Sequence, residues 1–341
     1  MDLSVFFAGT AGSIPTARRG LPAVLVRRGG DRILFDCGEG TQRQLVMSVG
    51  LMELTEVFLT HFHADHWLGL PGMLKTFDLR ARERPLTIYG PRGVKELLVL
   101  ALRVAGRVRF ELNLVELEPG ALLERDGYKI AAVPVAHRGP ALGYALFEDE
   151  RPGVFDPQMA LRLGLAAGPE FGRVQRGQTI RGVTPDQVMG PARPGRKLVI
   201  SGDTMPCESL RIAAHEADVL IHEATFAEEE TDRAAETGHS TAGQAAEVAK
   251  AAGVRLLALT HFSTRYPVRL LRDEARAVFP ATVLPRDFDT IEIPYIERGE
   301  PALVRWDARA EAEAAEAQPE AQAETQPEAE PEAQPIPDPA T

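Results

Sequence analysis

The stretch that decides the fold is Val57-Phe58-Leu59-Thr60-His61-Phe62-His63-Ala64-Asp65-His66, in which an apolar strand pattern runs directly into three histidines and an aspartate. His61 and His63 are two residues apart, so in extended backbone their side chains point to the same side. The chain must then turn, and Asp65 and His66 lie on that turn. Three imidazoles and one carboxylate from six residues therefore converge at a strand end, which indicates a metal site.

Other histidines and an aspartate also follow apolar strand patterns. In open α/β folds the carboxyl ends of strands line the crevice where ligands bind. Each of these residues alone is better explained as an ordinary core or surface residue, but together they complete a site for two metal ions. We predict that His61, His63 and His137 bind one ion, that Asp65, His66 and His261 bind the other, that Asp203 bridges them, and that His222 has a structural or supporting role.

The chemistry of this ligand set limits the choice of metal. All the ligands are imidazoles or carboxylates, and no thiolate is needed. Such a set suits Zn²⁺, with Mn²⁺ as the alternative. A carboxylate between two cations roughly 3.5–4 Å apart offsets their repulsion, so we predict two Zn²⁺ ions per chain.

Around this motif, short apolar strand patterns alternate with helical patterns. Many of the strand patterns are uniformly apolar, such as LVIS (198–201) and LLAL (256–259), as expected when both faces of a sheet are covered. The pattern therefore predicts an α/β sandwich. The predicted strands are 3–8, 23–28, 32–36, 56–60, 86–89, 129–135, 197–201, 219–222 and 256–260, and the predicted helices are 42–49, 68–79, 93–104, 241–252 and 267–278.

Charge and composition exclude few functions. The 341 residues carry a net charge of −11, but residues 308–341 hold nine acids and one base, so the rest of the chain sums to only −3. A polyanionic substrate is therefore not excluded. No apolar run approaches the ~20 residues of a membrane helix, and the first residues lack the basic region of a signal peptide. Cys37 and Cys207 are read as free thiols in a reducing cytosol, so we expect a cytoplasmic protein.

The last 34 residues, 308–341, form a tail of Ala, Glu, Gln and Pro with almost no large apolar side chain. Such a segment cannot bury enough surface to offset its chain entropy, so we expect it to be disordered. A solvated acidic tail is the favoured interpretation. Electrostatic competition with a nucleic-acid substrate is the alternative.

Residues 148–196 interrupt the alternation, with many glycines and prolines and little regular pattern. Long segments of this kind in a compact domain are usually functional or disordered. Within 160–197 there are seven basic residues against two acidic ones. The segment is either a solvated surface insertion or an arm that binds phosphate groups.

A set of further motifs, in a fixed order, resembles the ribonuclease Z family of the metallo-β-lactamase fold. The family's HxHxDH motif occurs in many other hydrolases of this fold, but the later HEAT, HST and THFSxRY motifs are specific. The motifs are GTAGSIPTARRG (9–20), LFDCGEGTQRQL (34–45), THFHADHWLGLPGML (60–74), AHRGPALGY (136–144), SGDT (201–204), HEATF (222–226), GHSTAGQAA (238–246) and THFSTRY (260–266).

This resemblance implies a four-layer αββα sandwich over residues 1–307, with the segment 148–196 as a flexible arm. It implies an endoribonuclease that removes the 3′ trailer from precursor tRNA, leaving a 3′-hydroxyl on the tRNA and a 5′-phosphate on the trailer. The arm of the family clamps the tRNA, often across a homodimer. The residues of this chain that we expect to bind substrate are Gly168, Pro169, Arg173, Arg176 and Arg181 in the arm, and Arg18 and Arg19 near the acceptor end.

The resemblance also implies a mechanism. Asp65 is both a metal ligand and the candidate base that orients or deprotonates the attacking water. His239 is the candidate general acid for the ribose 3′-oxygen, and Glu223 keeps it protonated. The alternative for His239 is a place in the cap of the helix predicted at 241–252.

Two other functions remain as alternatives at this stage. One is a phosphodiesterase of the same fold that acts on small molecules; the basic arm argues against it, because a small substrate needs no such reach. The other is a non-catalytic RNA-binding relative; the complete set of seven metal ligands argues against that.

Overall fold

The computed structural model describes residues 2–51 and 54–307. Two β-sheets form the centre of this part of the chain. The first sheet contains β1 (Leu3–Gly9), β2 (Ala23–Arg28), β3 (Asp31–Phe35), β4 (Glu56–Phe58), β5 (Leu86–Gly90) and β6 (Leu112–Glu116), and two late strands, β14 (Thr290–Glu292) and β15 (Ala302–Val304). Its strand order is β15-β14-β1-β2-β3-β4-β5-β6, and β3 to β6 are parallel.

The second sheet is built from the middle of the chain. It contains β7 (Leu122–Arg125), β8 (Tyr128–Pro134), β9 (Leu142–Glu148), β10 (Lys197–Ile200), β11 (Val219–Glu223), β12 (Leu256–Thr260) and β13 (Thr282–Val283). The order is β13-β12-β11-β10-β9-β8-β7, with β10 to β13 parallel. The carboxyl ends of the parallel strands in each sheet therefore lie at one edge.

Helices cover the outer face of each sheet. α1 (Thr41–Met47), α2 (Ala64–Trp67), α3 (Leu70–Leu79) and α4 (Val94–Ala105) belong to the side of the first sheet, and α7 (Glu208–Ala213), α8 (Thr231–Thr237), α9 (Ala242–Ala252) and α10 (Val268–Val278) to that of the second. A third apolar cluster fills the space between the sheets. The predicted αββα sandwich is confirmed, and its uniformly apolar strands are those covered on both faces.

Tyr144 links the two sheets close to the strand edge that carries the histidines. Its ring is buried against Phe58 at 5.1 Å between centroids, and its hydroxyl donates a hydrogen bond of 2.7 Å to the carbonyl of Leu59. Burying such a ring contributes about 1.5–3 kcal/mol. The contact holds the end of β4, from which the histidine motif continues, against β9.

Most predicted elements are present, with ends that differ by one or two residues. The helix predicted at 68–79 is present as α3, which begins two residues later at Leu70, and the short helix α2 just before it was not predicted. Gly69 lies between the two helices. A Cβ at Gly69 would lie 2.1 Å from the carbonyl oxygen of Gly38, so the chain at Gly69 and the loop after β3 approach too closely for any larger residue. Strand β9, whose second residue is Gly143, was not predicted, and neither were the short strands at or next to the sheet edges, β6, β7, β13, β14 and β15.

The segment 148–196 is more regular than predicted. It contains α5 (Pro157–Arg162), α6 (Pro169–Gln175) and a short 3-10 turn (Pro185–Gln187). Proline at the first helical position and the Asp156 cap start these helices, so the same residues that suggested irregular chain begin regular elements. A separate small apolar cluster holds them together: Ala160, Leu165, Val174, Ile180, Val183 and Val188. We call this segment the arm.

The ends of the arm pair with each other before they enter the second sheet. Isolated antiparallel bridges join Arg151 to Arg193 and Phe155 to Met189. We call these two paired strands, 149–155 and 189–196, the neck of the arm.

Two expectations concern features outside this architecture. In the described ranges no helix combines the length and hydropathy needed to cross a bilayer. The tail 308–341 and both interpretations of it lie outside the described residues.

Candidate metal centre and active site

The seven side chains predicted to bind metal meet at one edge of the sandwich. His61 follows β4, and His63 is the N-cap of α2, so Asp65 and His66 lie on the single turn of this short helix. The remaining three, His137, Asp203 and His261, follow β8, β10 and β12. The chain places them together because the ends of these strands share one edge.

His61, His63, His137 and Asp203 form one group, in which the potential ligand atoms all lie within 4.8 Å of one another. Nδ1 of His137 lies 2.7 Å from the carbonyl oxygen of Gly238, which can only accept a hydrogen bond. Nδ1 therefore carries the proton and Nε2 offers its lone pair, 3.4 Å from Nδ1 of His63. Gly238 has a φ of 82°, and a Cβ there would lie 3.2 Å from His137 Nδ1, so a larger residue would strain this contact.

Asp65, His66 and His261 form the second group, with the same 4.8 Å limit between ligand atoms. Nδ1 of His66 lies 2.7 Å from Oδ2 of Asp36, and Nδ1 of His261 lies 2.8 Å from Oγ1 of Thr225. Partners of this kind fix the orientation of a ligating imidazole and its tautomer. The Nε2 atoms of the two histidines are left facing each other at 3.3 Å.

Asp203 lies between the two groups. Its Oδ2 is 3.6 Å from Nε2 of His61 and 3.4 Å from Nε2 of both His66 and His261. Burial would raise the pKa of this carboxyl, but the imidazoles of His261 and His66 hold it well below its usual range. A charged, buried carboxylate within reach of both groups has the position required of a bridging ligand.

These residues fit a pair of bound cations. Nε2 of His61 is buried and has no hydrogen-bond partner among the described residues, which is costly unless another group satisfies it. Two facing nitrogen lone pairs repel each other. The Nε2 atoms of His66 and His261 therefore need a cation between them or a proton on one of them. Burial would lower the pKa of His66, but Asp203 and Asp36 raise it well above its ordinary value, which reflects the same demand for positive charge. The His/Asp cluster can therefore hold metal ions.

Asp65 is ionised and firmly held. Burial would raise its pKa, but the hydrogen bond with His261 and the charge of His66 hold it well below the usual range. The backbone N–H of Ser13, in the first loop, also donates to Oδ2 of Asp65 at 2.8 Å. The carboxylate thus joins the loop 9–20 to the metal-binding groups.

His239 and Glu223, the predicted acid and its partner, form a direct pair beside these groups. Nδ1 of His239 lies 2.8 Å from Oε1 of Glu223 and 3.8 Å from Oδ2 of Asp203. Burial would lower the pKa of His239, but the charge of Glu223 and its hydrogen bond raise it to about 9. A raised pKa favours the protonated ring at neutral pH, which a proton donor requires.

The helix cap offered as the alternative role for His239 is made by other residues. Oγ1 of Thr241 accepts a hydrogen bond of 3.1 Å from the backbone N–H of Gln244, and Oε1 of Gln244 accepts one of 3.0 Å from the N–H of Thr241. This capping box satisfies the start of α9 without His239. The imidazole of His239 therefore takes no part in the cap and pairs with Glu223.

Glu223 itself is almost completely buried and is held on several sides. Its carboxylate accepts hydrogen bonds from the backbone N–H of Thr204 at 2.8 Å and from the hydroxyl of Thr225 at 2.5 Å. The neighbouring His222 is also buried, points its Nδ1 at the carbonyl of Glu223 at 2.8 Å, and lies outside both metal-binding groups. Burial lowers the pKa of His222, so it is neutral.

The two arginines of the first loop differ in their surroundings. The guanidinium of Arg19 donates to the hydroxyl of Thr10 and to the carbonyl of Pro285, and it lies 4.7 Å from the ring centroid of Phe262. Burial lowers its pKa. Arg18 is exposed, in an open cleft of about 610 Å³ that Arg43 and Arg286 also line. Arg19 therefore holds the loop in place, whereas Arg18 faces solvent.

The predicted residues of the arm lie on and after α6. Gly168 precedes the helix with a φ of 107°, and Pro169 is its first residue. Arg173 and Arg176 are exposed. Arg181 is exposed as well, but it forms an ion pair of 2.9 Å with Glu170, which reduces the net positive charge of the arm.

Sequence reasoning assigned no role to Asp36 or Thr225, although both lie in motifs that it singled out. Asp36 directly follows β3, and Thr225 lies two residues after β11. The signal that predicted the metal ligands, a polar residue just after an apolar strand, would have pointed to these two as well. Their partners, His66 and His261, become evident only when the strands are placed side by side.

Comparison with known proteins agrees with this geometry. A family model described as the metallo-beta-lactamase superfamily matches residues 19–240. A ribonuclease Z of Methanosarcina acetivorans is 44% identical over 302 residues, which cover 86% of this chain and 99% of that protein. A ribonuclease Z of Gemmatimonas aurantiaca is 47% identical over 307 residues, or 87% of this chain and 98% of that protein.

A solved structure gives the same result. The crystal structure of human tRNase Z, short form, superposes with a TM-score of 0.64 and 30% sequence identity, covering 85% of this chain and 99% of that one. Sequence and fold relatives thus agree over nearly their whole lengths. The chain therefore belongs to the metallo-β-lactamase superfamily and, within it, to the ribonuclease Z family.

Proposed function

We propose that this protein is a metal-dependent endoribonuclease that removes the 3′ trailer from precursor tRNA by hydrolysing one phosphodiester. The products are a tRNA with a free 3′-hydroxyl and a trailer with a 5′-phosphate. Family membership supports this activity. The observation that carries it is the pair of His239 and Glu223 beside two adjoining groups of metal ligands, because this places a proton donor next to a site for two cations.

The metal is proposed to be Zn²⁺, two per chain, with Mn²⁺ as the alternative. The set of five imidazoles and two carboxylates supports this choice. The residues that would hold the two ions are His61, His63 and His137, then Asp65, His66 and His261, with Asp203 between them. Two such ions supply an activated water and stabilise negative charge on the phosphoryl oxygens.

Asp65 orients the attacking water and accepts its proton. Its low pKa leaves it a weak base on its own, so its main contribution is orientation. The hydrogen bond from the backbone of Ser13 restrains the carboxylate in this role. The water then attacks phosphorus in line with the leaving ribose oxygen.

His239 donates a proton to the departing ribose 3′-oxygen, which is a poor leaving group as an alkoxide. Its raised pKa supports this role, since the imidazole is charged at neutral pH before the reaction begins. Glu223 keeps the ring oriented and compensates its charge. The hydrogen bonds from Thr204 and Thr225 fix the orientation of this carboxylate.

The arm is proposed to bind the body of the tRNA, through the turn at Gly168 and Pro169 and through Arg173, Arg176 and Arg181. Exposed guanidinium groups bind phosphates in a bidentate manner and support this role. Near the cleavage site, exposed Arg18 is the better candidate for contact with the acceptor end, and Arg19 acts by holding the loop.

We also propose a homodimer in the cytosol. The outward face of α4 supports the dimer, because Val99, Leu100 and Val104 are 47%, 58% and 91% exposed. Apolar patches of this kind mark interaction surfaces. The free cysteines Cys37 and Cys207 support a reducing compartment.

The test is to incubate the purified protein with an end-labelled precursor tRNA, with and without EDTA, and to map the cut. The proposal expects metal-dependent cleavage just after the discriminator base, with a 5′-phosphate on the trailer. Turnover of small phosphodiesters without any cleavage of precursor tRNA would contradict it and would favour a small-molecule phosphodiesterase.

A further inference from the structure

The neck of the arm rests on a turn from the far end of the chain. This turn, residues 294–298, lies between β14 and β15 and includes a short 3-10 segment (Ile296–Arg298). Isolated bridges join the two strands of the neck at Arg151–Arg193 and Phe155–Met189, and the backbone N–H of Gly190 donates to the carbonyl of Val154. So short a ladder leaves the direction of the arm to be set by what the neck packs against.

The ring of Tyr295 contacts an arginine from each strand of the neck. The guanidinium carbon of Arg151 lies 3.5 Å from the ring centroid, and that of Arg196 lies 4.1 Å from it. Cation–π contacts at such distances are favourable, more so when the cation is shielded from water. The side chain of Arg196 is only 3% exposed.

Glu297 also binds both strands. Its two oxygens accept hydrogen bonds from Nη1 and Nη2 of Arg151 at 2.7 and 3.0 Å, and Oε1 accepts a third from Arg193 at 3.0 Å. The hydrogen bond from Arg151 lowers the pKa of Glu297 to about 2, so it stays charged at any assay pH near neutrality. One carboxylate thus ties the outgoing strand of the neck to the returning one.

The inner side of the neck is fixed to the body. Arg196 makes two hydrogen bonds of 2.8 Å to the carboxylate of Glu148 and a third, of 2.9 Å, to the carbonyl of Ile293. The same carboxylate also binds Arg28 at 2.8 Å. These charged groups are buried and satisfy one another. Because Arg196 cannot turn away without leaving Glu148, the ring of Tyr295 rests on a rigid support.

These contacts change the interpretation of charge in the arm. Arg193 and Arg196 belong to the basic stretch that predicted phosphate binding, yet Arg193 is bound to Glu297 and Arg196 to Glu148, the last residue of β9. Their charge therefore holds the neck and does not face a substrate.

We propose that Tyr295 and Glu297 are positioning residues that fix the direction of the arm and thereby the affinity for a large RNA substrate. Neither residue belongs to the groups that can hold metal. This inference rests on the proposed function, because it takes the arm to be the part that binds precursor tRNA.

The experiment compares Tyr295→Leu and Glu297→Gln with wild type in the full-length, metal-loaded enzyme. We expect KM for precursor tRNA to rise about 5- to 20-fold in each variant, because Tyr295→Leu removes two cation–π contacts and Glu297→Gln removes a bidentate ion pair with Arg151, with kcat and the turnover of bis(p-nitrophenyl) phosphate within about twofold. Hydrogen exchange of the free enzyme should become faster within 150–194 and stay unchanged elsewhere.

Two variants serve as controls. Tyr295→Phe keeps the ring and should behave as wild type. Glu300→Gln removes a carboxylate from the next turn of the chain, where it pairs with Arg255 at 3.0 Å and not with the neck, and should also have no effect.

Unchanged KM and unchanged exchange in the arm would overturn the proposal. An equal loss on precursor tRNA and on the small phosphodiester would overturn it too, since that pattern indicates general destabilisation. If the wild-type protein cut no precursor tRNA, the proposed function would fail, while the exchange data would still decide whether Tyr295 and Glu297 hold the arm.

Discussion

The hydroxyl of Thr225 lies 2.8 Å from Nδ1 of His261. The same hydroxyl donates a hydrogen bond of 2.5 Å to Oε2 of Glu223. Thr225 therefore donates its hydrogen to Glu223 and accepts one from His261, so His261 has Nε2 available for a metal ion. Through this one hydroxyl, Glu223 is linked to His261, which we propose as a metal ligand, and it also binds His239, the proposed proton donor.

We expect Thr225→Val to weaken metal binding about 10- to 100-fold, the usual effect of losing the partner of a ligating histidine. Cleavage should slow as well, because Glu223 loses one of its donors. Competition with a chelator measures the metal affinity. Thr225→Ser keeps the hydroxyl and should restore both properties; a Ser variant as defective as Val would show that the methyl group, and not the hydrogen bonds, matters.

Asp203→Ala should abolish turnover through loss of metal. The change removes the carboxylate that lies 3.4 Å from Nε2 of both His66 and His261, so cation repulsion is no longer offset. His63→Ala should have a similar effect through the other group. Metal content per chain, measured by elemental analysis beside activity, checks this. Full metal content with near-normal activity would refute the assignment of the ligands.

His239→Ala should retain both metal ions and slow cleavage by about 10²–10⁴-fold, the usual contribution of a general acid. The metal content of this variant is informative, because a ring nitrogen of His239 lies within 4.8 Å of ligand atoms of Asp203 and His261. Loss of one ion in the variant would assign His239 to the metal centre instead.

The pH dependence of kcat should show an alkaline limb that belongs to His239. The acid must be protonated, so activity is present below its pKa and lost as the pH rises through it. That pKa is raised to about 9 by Glu223 against the effect of burial, and nearby cations would lower it, so the limb should lie at or below pH 9. In Glu223→Gln it should move to lower pH. A limb that stays in place in this variant would mean that another group titrates.

Replacing residues 157–187 of the arm by two glycines should weaken binding of precursor tRNA and reduce its dependence on salt, because fewer phosphates are neutralised. The neck remains, and its bridges Arg151–Arg193 and Phe155–Met189 keep the ends close together. Turnover of bis(p-nitrophenyl) phosphate should be unaffected. Equal losses on the two substrates would argue against a role of the arm in binding RNA.

Secondary-structure elements with a strong local sequence pattern were predicted, and elements with a weak or misleading pattern were not. Strands such as 23–28 and 256–260 were predicted with their observed ends, because a uniformly apolar run between polar turns leaves few other structures. The edge strands β6 and β7 were missed because strands at a sheet edge are shorter, partly exposed and weakly patterned. The helices of the arm were missed because their prolines, read as breakers, occupy first-turn positions.

The same division holds for the site. The sequence by itself determined which residues can bind metal, since imidazoles and carboxylates placed just after apolar strands must emerge at a sheet edge. Only the tertiary structure decided the partners: Asp36 with His66 across 30 residues, Thr225 with His261 across 36, and Glu297 with Arg151 across 146. These contacts depend on how strands and turns pack against each other over long separations, and the local pattern of polar and apolar residues carries no record of that packing.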